Sequence, residues 1–245
     1  VRLNRFLSLA GVTSRRNADL LIKAGRVEVN GEKIKNLGTS IDEKKDRVKI
    51  DGARVELKSN FIYLLLNKPK GFLSTTRDDF KRPIILDLIS GIKVNIFPVG
   101  RLDYDTEGVL LLTNDGDLAY RLTHPRFQVP KIYRVELKGK VLKNKIKVIN
   151  RGIRLENGSL AKGEAVILNK TNEGTTLKLK LNEGKKREVK RIFKALGYKV
   201  EHLERLSFAG ITARGLKRGE WRYLSPKEVL TLKNITTFKD VGYGR

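Results

Sequence analysis

The residues best placed to do chemistry lie in GRLDYDTEGVLLLTNDG, Gly100 to Gly116. Asp103 follows an arginine, Arg101, by two positions, in a loop that runs straight into an apolar strand over Val109–Leu112. Elsewhere the chain offers few catalytic side chains. It has no cysteine and only two histidines, His124 and His202. That rules out thiol nucleophiles and cysteine-ligated zinc or iron–sulfur centres, and it argues against a His-based metal cage or a Ser-His-Asp triad. His124, before Pro125, and His202, in an apolar-alternating stretch, read as structural. Asp105, Glu107 and Asp115 read as loop and turn hydrogen-bonding groups. The remaining chemistry is that of one ionised carboxylate.

The substrate class follows from charge. Among 245 residues, 52 are Lys or Arg and 27 are Asp or Glu, for a formal net charge of +25. Such a surplus costs self-repulsion, and a polyanionic partner, most simply RNA, accounts for it. No apolar run approaches the roughly 20 residues of a membrane span. The longest, Phe61–Leu66 and Val109–Leu112, are strand-sized, and the N-terminus has no apolar signal region. A soluble, cytoplasmic protein without a membrane partner is expected. With no self-complementary apolar segment, a monomer is expected too.

Two units must position the carboxylate. In the first, residues 1–58, Leu3, Phe6, Leu7 and Ala10 mark a short amphipathic helix. Ser14 is the expected N-cap of a second helix ending near Ala24, with Gly25 beyond its C-terminus. Arg26–Val29 and Glu32–Lys35 form a hairpin across Asn30-Gly31, whose residues suit the positive φ angles of a type I′ turn. Arg47–Ile50 is a further strand. A short polar linker is expected over Leu57–Asn60.

The second unit, residues 61–245, opens with the strand FIYLLL. Pro83 starts a short helix over Ile84–Ile89, and Asp117–Thr123 is helical. Strands follow at Ile132–Leu137, Ala165–Leu168, Thr176–Leu181 and Val200–Ala209, with a helix at Lys140–Ile149. Lys186–Leu196 is an amphipathic helix that turns Val189, Ile192, Phe193 and Leu196 inward. Pro226–Leu232 is a last helix, followed by a loose tail. Interspersed strands and helices define an α+β domain around a mostly antiparallel or mixed sheet flanked by helices.

These segments resemble a known family. SRRNADLLIKAGRVEVNG, at the centre of the first unit, resembles the S4 RNA-binding domain. In that family the helix pair and hairpin grip structured RNA, which implies contacts from Arg15, Arg16, Lys23 and Arg26. The Asp103 loop resembles the signature of pseudouridine synthases. Four more segments match in order: LLLNKPKG (Leu64–Gly71), KIYRV (Lys131–Val135), NEGKKREVKRIFKALG (Asn182–Gly197) and LERLSFAGI (Leu203–Ile211). Together they are similar to the S4-bearing RsuA/RluB/RluE/RluF branch, which acts on ribosomal RNA. The wording TEGVLLLTNDG leans toward the large-subunit group, 23S over 16S rRNA.

The resemblance implies a uridine-to-pseudouridine isomerisation without cofactor or metal. Asp103 is the catalytic carboxylate, acting covalently or through a glycal. Lys190 is its basic partner, where many relatives carry arginine; the charge is kept and the bidentate fork is lost. Tyr133 stacks on the flipped base, and its hydroxyl is available for the C5 proton. Leu203 packs against the base, and Arg101 holds the nucleotide. Lys68, Lys185, Lys186, Arg187 and Arg191 are expected phosphate contacts. Neutralising about 6–10 phosphates would weaken binding by on the order of 10³–10⁵ from low to moderate salt. Two other readings remain open: a non-catalytic rRNA-binding assembly factor, and a metal-dependent nuclease using Asp103, Asp105 and Glu107.

Overall fold

The computed structural model describes residues 1–57 and 61–237, so part of the expected linker and the end of the expected tail lie outside the described residues. The chain divides into two compact units. One comprises Val1–Ile62 with Gly91–Ile96 and Asn114–Gly116; the other comprises the remainder. The first therefore reaches Ile62, past the expected boundary, and takes in two further short segments.

The first unit holds α1 (Leu3–Leu9), α2 (Arg15–Lys23) and four short strands: β1 (Val27–Val29), β2 (Glu32–Ile34), β3 (Val48–Ile50) and β4 (Ala53–Val55). The strands form an antiparallel sheet in the order β2-β1-β3-β4. Ser14 caps α2 by accepting from the Asn17 amide at 3.2 Å. Asn30 and Gly31 both take positive φ, as the β1–β2 hairpin requires. Leu3, Phe6 and Leu7 of α1 and Ala18 and Ile22 of α2 bury their apolar faces with Val27 and Val48. Arg15, Arg16, Lys23 and Arg26 are left on the surface.

The second unit is built on β5 (Tyr63–Lys68), β6 (Phe97–Pro98), β7 (Glu107–Thr113), α3 (Gly116–Thr123), β8 (Lys131–Lys138), α4 (Lys143–Arg151), β9 (Ile153–Arg154), β10 (Leu160–Ala161), β11 (Glu164–Lys170), β12 (Gly174–Leu181), α5 (Glu188–Ala195), β13 (Val200–Phe208), β14 (Ile211–Thr212), β15 (Trp221–Tyr223) and α6 (Pro226–Thr237). Its main sheet runs β11-β12-β8-β13-β7-β5-β15, with β14 beside β13 and β6 beside β7. Strands β9 and β10 pair separately. Neighbours in the main sheet are antiparallel except β13 and β7, which run parallel through Glu204↔Glu107 and Arg205↔Gly108.

Burial differs from strand to strand in this sheet. Strands β5 and β7 are buried almost end to end, matching their unbroken apolar runs, whereas β8 and β12 alternate. Leu118 and Leu122 of α3 and Leu232 of α6 share a core with Leu65, Val109, Leu111 and Phe208 of the sheet.

Four local expectations are corrected. Ile85–Leu88 is one 3₁₀ turn, because Asp87 turns back to accept from the Ile84 amide at 2.8 Å. Helix α4 starts three residues later than expected, at Lys143. Helix α5 starts at Glu188, because Arg187 adopts the left-handed conformation (φ 51°). Helix α6 continues to Thr237, with Ile235 still packed on the core, so the helix runs past the Leu232 where a loose tail was expected.

Candidate active site

Asp103 sits in the loop between β6 and β7. That loop has no regular secondary structure to hold it, yet its backbone is tied at several points by the segment that follows β5. Ser74 Oγ accepts from the Leu102 amide (3.1 Å) and donates to the Leu102 carbonyl (2.8 Å). The Gly71 amide donates to the Tyr104 carbonyl at 2.9 Å. The Lys68 ammonium donates to the carbonyls of Pro69 (2.9 Å), Asp103 (3.2 Å) and Thr106 (3.0 Å). The Thr106 amide closes a turn onto the Asp103 carbonyl at 3.0 Å. The carboxylate itself stays one-third exposed, at 33%.

The expectation that Lys68 contacts phosphate is thereby corrected. Its side chain is fully buried, and its donors are spent on backbone carbonyls of Pro69 and the Asp103 loop. Burial pushes the ammonium pKa down to about 8, against the opposing pull of Asp105, Glu107 and Asp103.

Lys190, on the first turns of α5, brings a cation to the loop. Its Nζ lies 3.7 Å from Asp103 Oδ2 and 2.5 and 2.6 Å from the two oxygens of Asp105. Asp105 is thus more than a loop hydrogen-bonding group: it is the closest partner of the cation. Burial alone would raise the Asp105 carboxyl, but the Lys190 hydrogen bond and charge hold it below the usual range. Glu107 points elsewhere, to His202 (3.1 Å) and Arg218 (3.7 Å). Asp103, Asp105 and Glu107 therefore do not converge on a common point, and among the described residues no group of three or more His, Cys, Asp or Glu side chains is arranged for a metal ion.

Asp103 faces a cavity of about 110 Å³, small beside the 300–1,000 Å³ of sites for drug-sized ligands, and so suited to a single ring. Tyr133 of β8 and Leu203 of β13 line it with Lys190, Lys131 and Arg205. Tyr133 and Leu203 are nearly buried, at 8% and 5% exposure. Arg101, Lys185 and Arg187 also line it, and all three are exposed. Lys186 and Arg191 are not among its lining residues. The arginines and lysine of the first unit are surface groups, and Arg26 is committed to Asp51, which it grips through Nε at 3.0 and 3.1 Å.

Sequence reasoning missed Lys131, Arg205 and Glu188. Alternation along a strand could have found the first two. Lys131 precedes Tyr133 by two residues and Arg205 follows Leu203 by two, so each shares a face with a residue already assigned to the site. Glu188 is buried against the same cavity; its Oε2 accepts from the Lys185 amide at 3.0 Å, while its Oε1 has no partner among the described residues. Burial, reinforced by Glu183, raises its carboxyl pKa to about 7.

The fold and this carboxylate-centred cavity define an RNA-modifying isomerase, and the chain belongs to the RNA pseudouridylate synthase family, whose pattern matches residues 62–195. An S4 domain matches residues 1–48. The chain is 41% identical over 236 residues to the ribosomal large subunit pseudouridine synthase B of Bacillus subtilis strain 168, covering 96% of each. It is 42% identical over 243 residues to an uncharacterized RNA pseudouridine synthase of Aquifex aeolicus strain VF5, covering 99% of this chain and 95% of that one. A solved pseudouridylate synthase crystal structure superposes with a TM-score of 0.69 at 29% identity, over 95% of this chain and 99% of the other. Among the described residues no helix is long and apolar enough to cross a membrane.

Proposed function

We propose that this protein converts a uridine of ribosomal RNA, in the large subunit rather than the small, to pseudouridine with Asp103 as the catalytic carboxylate. The observation that carries the proposal is the placement of Asp103: a partly exposed carboxylate on a tethered loop, 3.7 Å from the Lys190 ammonium, facing a ring-sized cavity. The large-subunit assignment draws on the B. subtilis relative.

A uridine turned out of its helix enters the cavity and recovers its lost stacking, worth roughly 1–3 kcal/mol, on the Tyr133 ring. Leu203 supplies an apolar contact for the base. Asp103 acts on the sugar as the C1′–N1 bond breaks, the base turns, and C5 takes the place of N1 on C1′. Lys190 places its ammonium 3.7 Å from that carboxylate, a cation beside the acid that meets the sugar. Arg101, Lys185 and Arg187 lie where the flanking phosphates would pass. The S4 unit presents Arg15, Arg16 and Lys23 as exposed cations for the body of the RNA, which supports its role in affinity rather than chemistry.

The test is to incubate the protein with unmodified large- and small-subunit RNA and map pseudouridine by carbodiimide treatment and primer extension. One uridine in the large-subunit RNA should be converted. Asp103→Asn should abolish product while RNA affinity stays within about twofold. Retained turnover in that variant would overturn the catalytic assignment, and conversion confined to small-subunit RNA would overturn the substrate assignment.

A further inference from the structure

Two buried cations line the cavity, and neither is held in a direct ion pair among the described residues. Arg205 of β13 is 2% exposed and Lys131 of β8 is 6% exposed. Arg205 Nε donates to the Val109 carbonyl at 2.7 Å, and its guanidinium carbon stands 4.8 Å from the centre of the Phe208 ring. Its Nη2 is buried without an acceptor among the described residues. Lys131 Nζ donates to the Val129 carbonyl at 3.0 Å and lies 5.1 Å from the same ring centre. Among the described residues, the ion pairs within 4.0 Å include neither side chain.

This arrangement is costly. A buried charge without a partner is penalised by several kcal/mol, and well-packed apolar residues of similar volume are usually at least as stable. Burial, aided by the charge of Arg205, depresses the Lys131 ammonium pKa to about 8 against the opposing pull of Glu188 and Glu183. Burial likewise lowers the Arg205 guanidinium, against the opposing influence of the Tyr133 hydroxyl. Packing alone gives no reason to keep two such groups here. Their position does: Arg205 is the cross-strand partner of Tyr133, and both line the cavity that Asp103 faces.

We propose that Arg205, assisted by Lys131, stabilises the negative charge that the uracil ring carries between detachment and reattachment. This rests on the isomerase reading above and adds a catalytic residue to it. When C1′–N1 breaks, the bonding pair leaves with the base and spreads over N1, O2 and O4. Asp103 balances C1′ by bonding to it or by taking the C2′ proton, and either change is reversed later. C5 of the anion then forms the new bond to C1′, and the C5 proton is transferred to N1. Atoms and electrons balance with no added reagent. The free Nη2 donor and the Lys131 charge are fixed where the departing charge develops, so they need no reorganisation as it forms.

The test uses the full-length protein with Arg205→Met and Arg205→Lys, on large-subunit RNA transcribed with uridine or with 5-fluorouridine. Single-turnover consumption of the target nucleoside is read by chromatography of the digested RNA. Arg205→Met should slow the uridine reaction by about 10²–10³-fold, with RNA affinity unchanged and melting temperature equal or higher. Arg205→Lys should recover most of that loss. Fluorine withdraws electrons and makes the departing ring a better anion, so the defect of Arg205→Met should shrink at least about tenfold on the fluorinated RNA.

An equal defect on both RNAs would overturn the proposal, as would a rate loss explained by a matching loss of folded protein. If Arg205→Met does not fold, Arg205→Lys decides by the same comparison: a shortfall confined to uridine supports the role, and an equal shortfall refutes it. Wild-type protein that converts no uridine would refute the isomerase reading itself, a result separate from either.

Discussion

Replacing Lys68 by methionine removes a buried ammonium while keeping nearly the same length and volume. Three carbonyls, those of Pro69, Asp103 and Thr106, lose a charged donor. Hydrogen bonds to charged groups contribute about 1.5–3 kcal/mol each. Against that stands the cost of burying the charge. A drop from the ordinary 10.5 to about 8 corresponds to about 3 kcal/mol at neutral pH. The net destabilisation is about 1.5–6 kcal/mol, which a urea titration would resolve.

The larger consequence is for rate. With the Asp103 and Thr106 carbonyls released, the carboxylate loses its fixed position, and a displacement of about 1 Å costs on the order of 10²-fold. Lys68→Met should therefore slow single-turnover conversion on saturating RNA by about 10²-fold and leave RNA affinity unchanged. The reverse pattern, a normal saturated rate with weakened binding, would refute the positioning role and restore the phosphate contact expected from sequence. The pH dependence gives an independent check. Between pH 8 and 10.5 the unfolded chain holds the Lys68 proton and the folded chain does not, so this residue's contribution to stability rises with pH in that window. Lys68→Met should remove that part of the rise.

Glu188→Gln removes a carboxyl whose folded-state pKa is raised to about 7. Its contribution is fully present below the ordinary value near 4.5 and is lost as pH rises through 7. The variant should melt higher at pH 8, by on the order of 2–3 kcal/mol in stability, and show a flatter pH 5–8 profile; an unchanged profile would contradict the burial argument. Asp105→Asn should slow conversion about tenfold in an otherwise wild-type chain and have little further effect on Lys190→Gln, because Asp105 acts through that ammonium; additive losses in the double variant would refute the coupling. Gly108→Ala should cost more than about 4 kcal/mol, since its φ is +102° and an added Cβ would lie 2.2 Å from the Arg205 carbonyl oxygen; thermal melts near wild type would contradict the packing described.

Much of the site was legible because its residues come in short ordered motifs. Asp103, Tyr133, Lys190 and Leu203 come from four separate segments, and the structure brings all four to one cavity. The strands were legible from apolar runs and alternation, and the β1–β2 turn from Asn30-Gly31. What escaped was the interior charge. Lysine and arginine are almost always surface residues, so in a chain this basic Lys68 read as a phosphate contact, and Lys131 and Arg205 received no role. Helix α5 begins two residues later than its apolar stripe implies, because periodicity does not register the left-handed turn at Arg187. Strand β15 carries only three residues, Trp221–Tyr223, too few for alternation to declare itself.

The parallel seam between β7 and β13 has a consequence for how the enzyme can vary. Gly108 and Arg205 touch main chain to main chain there, with no space for even a methyl group. The loop bearing Asp103 leads into one strand and Arg205 is carried by the other, so this seam fixes the spacing of the two backbones that bear them. Substitutions in the surrounding loops leave that backbone spacing untouched, whereas any side chain larger than hydrogen at position 108 forces the two strands apart.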